Sequence, residues 1–146
     1  MTLFLVYNFY SKACQKNAVD VSKRLAEEGH ILTNQEIPEK DRQRPIWIKN
    51  RDLIENYYRA KLGIDIRSCK AADAVVVLWG KNRIKSGSTA IYGSSNLHNA
   101  SFMMGLATGY QKPIFFVGKP MVRAHYHPGV VHVDQIDDLY WRLKSG

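Results

Sequence analysis

No aspartate or glutamate occurs between Asp73 and Asp134, while Lys81, Arg83, Lys85, Lys112, Lys119 and Arg123 all fall in that interval. Cations without carboxylates beside them either form a plain solvated face or seat an anion. From Gly80 to Asn96 the interval carries a polar loop rich in glycine and serine, closing on Ser94, Ser95 and Asn96. Where such a loop feeds a helix, backbone N–H groups and the helix dipole add their own preference for negative charge. Lys85, Ser88, Ser94, Ser95 and Asn96 are therefore candidate contacts to an anionic ligand. The order Lys85-Ser86-Gly87-Ser88-Thr89 is wrong for a P-loop, and no G-x-G-x-x-G is present.

Proton transfer has two candidates. Asp65 is either a base or a helix residue paired with Arg67 or Lys61, and His98 is either an acid–base group or a cap at a helix start. Tyr7, Tyr10, Trp47 and Tyr92 offer rings that stack on a base or pack in the core. Asp73, directly before an apolar run, reads as a turn pin. His125 and His127 alternate around Tyr126 in a pattern that suits one face, but no third ligand has metal-like spacing. No metal or other cofactor is expected. Gly93-Ser94-Ser95 does not make a nucleophile elbow.

These residues sit on a regular succession of elements. Leu3 to Tyr7 is a short apolar strand. Ala18, Val19, Val21, Leu25 and Ala26 mark a helix that Gly29 ends, and His30 to Thr33 is a second strand. Asn34 to Arg44 is polar and reads as a loop or flap. Pro45 suits a first helical turn before Ile46, Trp47, Leu53, Ile54 and Tyr57, and Gly63 is expected to interrupt that helix before a further short one at Ile64 to Ala71. Ala74 to Trp79 is an unbroken apolar strand. A helix from His98 to Gly109 precedes the strand Ile114 to Val117. Val130 to Val133 and a closing helix with Ile136, Leu139, Tyr140 and Leu143 complete the chain. Alternating strands and helices without repeat or linker predict one three-layer α/β domain over 1–146, Rossmann-like, with about five mostly parallel strands in a flavodoxin-like order. Ligands of such sheets sit outside the carboxyl ends of the strands, which is where the loop after Trp79 emerges.

The 146 residues are 45% hydrophobic and 23% charged, which suits a soluble domain with a real core. The net charge of +8 points to an anionic partner: a nucleotide, a nucleic acid or an acidic surface. Cys14 and Cys69 lie far apart without a C-x-x-C, the opening apolar run is too short for a signal peptide, and no stretch suits a membrane span. A cytoplasmic, membrane-free protein is expected. No recognised nucleic-acid motif accompanies the charge.

The segment Leu5-Val6-Tyr7-Asn8-Phe9-Tyr10-Ser11 resembles the first strand and substrate loop of nucleoside 2-deoxyribosyltransferases and the related deoxynucleotide N-hydrolases. Ile64-Asp65-Ile66 with Ala71-Ala72-Asp73-Ala74-Val75-Val76-Val77 is similar to that family's approach to its third strand. Gly105-Leu106-Ala107-Thr108-Gly109 with Lys112-Pro113-Ile114 is similar to its next helix and strand. The resemblance covers nearly the whole chain. It implies a flavodoxin-like fold, a nucleoside or nucleotide ligand, chemistry at the N-glycosidic bond, and a homo-oligomer, dimer or higher. Carried over by position, it makes Asp65 the assisting aspartate, Tyr7 and Asn8 substrate contacts, and Ser94 and Ser95 contacts to the 5′ end.

The family's nucleophilic carboxylate stands two residues before the glycine that matches Gly105, and here that place holds Met103. A thioether cannot attack C1′ as a carboxylate does. Three function classes follow: an enzyme acting on the N-glycosidic bond, a non-catalytic nucleotide-binding or sequestering module, and a nucleic-acid-binding domain.

Overall fold

Ala74-Val75-Val76-Val77-Leu78 is buried at every position, as an apolar strand without alternation requires. This strand, β3 (Ala74–Leu78), is the middle of a five-stranded sheet with β1 (Thr2–Val6), β2 (Ile31–Leu32), β4 (Ile114–Val117) and β5 (Val130–Val133), in the order β2-β1-β3-β4-β5. All pairings are parallel, with Leu5 opposite Val76 and Val76 opposite Phe115. The computed structural model describes residues 1–7, 12–34, 51–79, 94–120 and 122–145, and of residues 12–15, 51–54, 57, 94–99 and 145 it describes the backbone alone. The order is the flavodoxin-like one that the sequence pattern predicts.

Helices cover both faces. On one side, α2 (Arg51–Ala71) and α3 (Ser94–Gly109) bury Cys69, Ala100, Met103, Met104 and Ala107 over Phe4, Val6, Val75, Val77 and Phe116. On the other, α1 (Lys12–Glu27) and α4 (Ile136–Ser145) bury Ala18, Val21, Leu25, Leu139 and Leu143 over Leu3, Leu5, Val76 and Val117. The spacing i, i+3, i+4, i+7 of Ala100, Met103, Met104 and Ala107 gives α3 its sheet-facing stripe. No described helix is long and apolar enough to cross a membrane.

Two boundaries differ from expectation. Gly63 does not interrupt: α2 runs through it from Arg51 to Ala71. One helical glycine costs only about 1 kcal/mol, and the packing of Ser68 and Cys69 farther along outweighs that. The helix expected to begin near His98 begins at Ser94, and the helical start near Pro45 lies outside the described residues.

Polar contacts hold the sheet's left side in register. Asp73 Oδ2 accepts from both the Thr2 N–H (2.8 Å) and the Thr2 hydroxyl (2.9 Å), pinning the start of β1 beside β3. These bonds hold the Asp73 carboxyl below its ordinary pKa, so they favour the fold above about pH 4 and are lost as the carboxylate is protonated. After β2 has ended, Asn34 extends its pairing: its Oδ1 accepts from the Leu5 N–H at 2.9 Å and its Nδ2 donates to the Leu5 carbonyl at 2.7 Å. Thr33 Oγ1 donates to the Ser68 carbonyl at 2.8 Å and so ties that edge to α2.

Both α1 and α3 end on a residue with positive φ. Gly29 (φ 88) follows α1, as its sequence position predicts, and the His30 N–H returns to the Leu25 carbonyl at 2.9 Å. Gln111 (φ 59) does the same for α3, with the Lys112 N–H on the Ala107 carbonyl at 2.8 Å. A side chain there carries strain that glycine relieves. Gln111→Gly is expected to raise stability by about 0.5–1 kcal/mol in urea unfolding. Asn34→Ala is expected to cost about 1–3 kcal/mol through the two orphaned Leu5 groups, and Asn34→Asp to give no recovery because a carboxylate would face the Leu5 carbonyl.

Candidate functional site

Because β3 and β4 are parallel, α3 must carry the chain back between them. Its first turn therefore stands at the edge where β1, β3 and β4 end. That edge is the one at which ligands of doubly wound sheets bind. The backbones of Ser94, Ser95, Asn96 and His98 all lie in the opening turns of α3, and no acidic residue stands in its first turn. The arrangement presents N–H groups and the positive helix end at that edge. The side chains of these four residues, and Asn8, Tyr10, Lys85 and Ser88 altogether, lie outside the described residues.

Tyr7 follows β1 directly and packs, half-buried, against the core under α1 and α4. Asp65 is on α2, over the opposite face. It stands about 9 Å along the helix axis from Ala71, against roughly 13 Å for the whole of β3, and so lies toward the carboxyl half of the sheet. The structure brings the two to the same half of the sheet from its two faces.

The Asp65 carboxylate is 17% exposed and bonds Lys61 Nζ at 3.2 Å, one helical turn away. Of the two pairings open in the sequence, Lys61 is the one formed. Burial pushes the Asp65 carboxyl above its ordinary pKa, and the Lys61 ammonium pulls it only part of the way back. A carboxylate whose proton affinity burial raises is better suited to take a proton than a fully solvated one.

Met103 offers no such chemistry. It is 1% exposed and belongs to the core between α3 and the sheet, with almost no surface left for a ligand. Gly105, two residues on, faces outward.

The acid-free run divides among three places. Lys112 precedes β4, at the amino edge and away from the cleft. Lys119 follows Gly118 at the carboxyl edge, where the chain turns with φ 125. Arg123 opens a short 3-10 turn, Arg123–Tyr126, beside α3. Lys81, Arg83 and Lys85 lie outside the described residues.

His125 and His127 do not share a face. His125 lies inside the 3-10 turn Arg123–Tyr126 and is fully buried, while His127 follows the turn and is exposed. Among the described residues no group of His, Cys, Asp or Glu is arranged to hold a metal. Cys69 is a free, buried thiol whose pKa burial raises, which makes it inert packing. Asn34 and Thr2, which position the ends of β1, carried no signal in the sequence beyond their polarity.

The Asp65 environment has a direct test. Carbon-13 NMR titration of the carboxyl carbon is expected to place Asp65 above the usual aspartate value. Lys61→Met should move it higher still, since only the lowering influence is removed. A fall, or no movement, would contradict the assigned balance of burial against charge.

No protein-family model matches the chain, and no curated protein matches it by sequence. Among solved structures it is similar to the 2-deoxyribosyltransferase of the psychrotolerant bacterium Bacillus psychrosaccharolyticus. The TM-score is 0.59 at 13% identity, over 95% of this chain and 90% of that one. An identity that low carries architecture and not residue roles. The protein therefore has the Rossmann-like α/β fold that a 2-deoxyribosyltransferase also uses.

Proposed function

We propose that the protein binds a nucleoside or nucleoside monophosphate at the carboxyl edge of its sheet and acts, where it acts, on the N-glycosidic bond by hydrolysis. The observation that carries this reading is Asp65: a desolvated carboxylate, paired with Lys61, toward the carboxyl half of the sheet. The shared architecture supports a nucleoside-sized ligand there. The opening turns of α3 and the basic residues of the acid-free run supply the anion preference, each helix-terminus contribution being about 0.3–1 kcal/mol. Charge on lysine and arginine is then the larger share, so affinity for a nucleoside monophosphate should fall as salt rises while affinity for the nucleoside does not.

Asp65 takes a proton from water as the oxygen forms its bond to C1′; the C1′–N bond breaks, its electron pair leaves with the base, the base nitrogen takes up a proton from solvent, and Asp65 returns its own to solvent. Sugar and free base are the products. Base exchange through a sugar ester needs a carboxylate nucleophile, and Met103 occupies the resemblance's place for one. The same residue favours a second reading, a nucleotide-binding module that performs no chemistry.

A panel of nucleosides and their monophosphates separates the readings, with released base and retained ligand both measured. The hydrolase reading expects base release that Asp65→Asn abolishes while ligand retention survives. Retention without release selects the binding module. Incubation with a 2-fluoro-arabinosyl nucleoside should leave the intact mass unchanged. A covalent sugar adduct would overturn the account and identify a nucleophile other than Met103.

A further inference from the structure

The turn Arg123–Tyr126 forms one wall of a groove of about 720 Å³ whose other wall is α3. Arg123 and Tyr126 face Ser101, Met104 and Thr108 across it. The groove lies on the flank of the sheet near its β5 edge. Of the turn's own four side chains, only that of His125 is buried. His125 is fully buried, its ring centroid 4.6 Å from both the Trp79 and the Phe116 rings.

One local contact assigns its neutral tautomer. His125 Nδ1 accepts a long bond, 3.5 Å, from the Val122 N–H. The neutral ring therefore carries its proton on Nε2. A second proton would go to Nδ1 and set two donors against each other, on a ring packed between two aromatic side chains. His132 Nε2 donates to the His125 carbonyl and remains a donor in either of its own charge states. Outside this core, His127 Nδ1 accepts from the Gly129 N–H at 3.0 Å on the surface.

We infer that His125 is a protonation-operated latch: neutral, it seats the turn Arg123–Tyr126 on Trp79 and Phe116; protonated, it releases the turn and opens the groove beside α3.

Among the described residues the groups facing His125 are neutral or basic. Trp79 at the end of β3 and Phe116 of β4 are uncharged, and α3 offers Ser101, Met104 and Thr108 to the same turn. Among the described residues the titratable and charged neighbours are His132 on β5 and Arg123 in the turn itself, which are basic. No aspartate or glutamate exists anywhere between Asp73 and Asp134, so none of these elements has a carboxylate to hold an imidazolium. Burial is the main cause holding the His125 pKa below its ordinary value, and the His132 ring lowers it further. The sign follows: the open turn binds the proton more readily than the closed one. Closure is fully favoured above the open-state pKa, near 6.5, and is lost as pH falls through it.

With an open-state value of about 6.5, lowering the pH from about 7.5 to about 5.5 raises the opening equilibrium about tenfold. Amide hydrogen exchange across residues 122–130, corrected for intrinsic rates, reads this directly. Protection in the wild type and in His127→Gln should fall about tenfold over that interval, and His125→Phe, which fills the same space without titrating, should hold protection constant. An unchanged wild type, or an equal fall in His125→Phe, would overturn the latch. Should His125→Phe not fold, the C2–H resonance of His125 in the wild type decides. A midpoint well below about 6.5, moving together with loss of protection, supports the inference; a midpoint at or above that value with protection retained refutes it.

Discussion

Everything in this molecule depends on burying β3 on both faces. Its five residues, Ala74–Leu78, have no polar side chain to offer solvent, so the sheet must place β1 and β4 on either side and helices above and below. Parallel neighbours can be joined only by crossovers, and those crossovers are α2 and α3. The same constraint that covers the strand thus brings the start of α3 to one edge of the sheet and sets Asp65 toward that half. The position of that edge is a consequence of the core.

Charge is distributed to suit that geometry. The stretch between Asp73 and Asp134, which holds β3, α3, β4, the turn Arg123–Tyr126 and β5, carries cations and no carboxylate. At the carboxyl edge this favours an anionic ligand. On the flank the same absence has a different effect, since a buried histidine there has no acidic neighbour within the stretch to share its proton. One compositional fact bears on two sites. Two acids outside the stretch have different tasks: Asp73 holds the first strand to the third at the amino edge, and Asp65 carries a proton affinity raised by burial.

Much of the fold was legible in the sequence, for definite reasons. The unbroken run Ala74 to Leu78 announced a central parallel strand, and the apolar spacing of Ala18, Val21 and Leu25 with Gly29 beyond it announced α1 and its end. What escaped notice lacked a periodic signature. Gly63 looked like a break because local propensity was weighed without the packing farther along α2. Asn34 looked like loop because a side-chain amide standing in for a strand residue leaves no pattern. His125 looked like half of a same-face pair with His127 because alternation suits an extended strand, whereas the chain here is a short 3-10 turn that ends before His127. At the site, Asp65 was identified through resemblance to a family, and its pairing with Lys61 was one of two that helical spacing allowed. Met103 stood out only against that family's pattern, and its burial explains why a large apolar side chain is tolerated there.

The central claim is that a nucleotide occupies the carboxyl edge of the sheet. Amide chemical-shift mapping with a purine or pyrimidine nucleoside monophosphate tests it most directly. Saturable shifts should cluster at Tyr7, at the residues of α2 around Asp65 and at the first turns of α3, with Lys112 and the amino edge unmoved. Shifts confined to the groove beside Arg123–Tyr126, or none at millimolar nucleotide, would contradict the account.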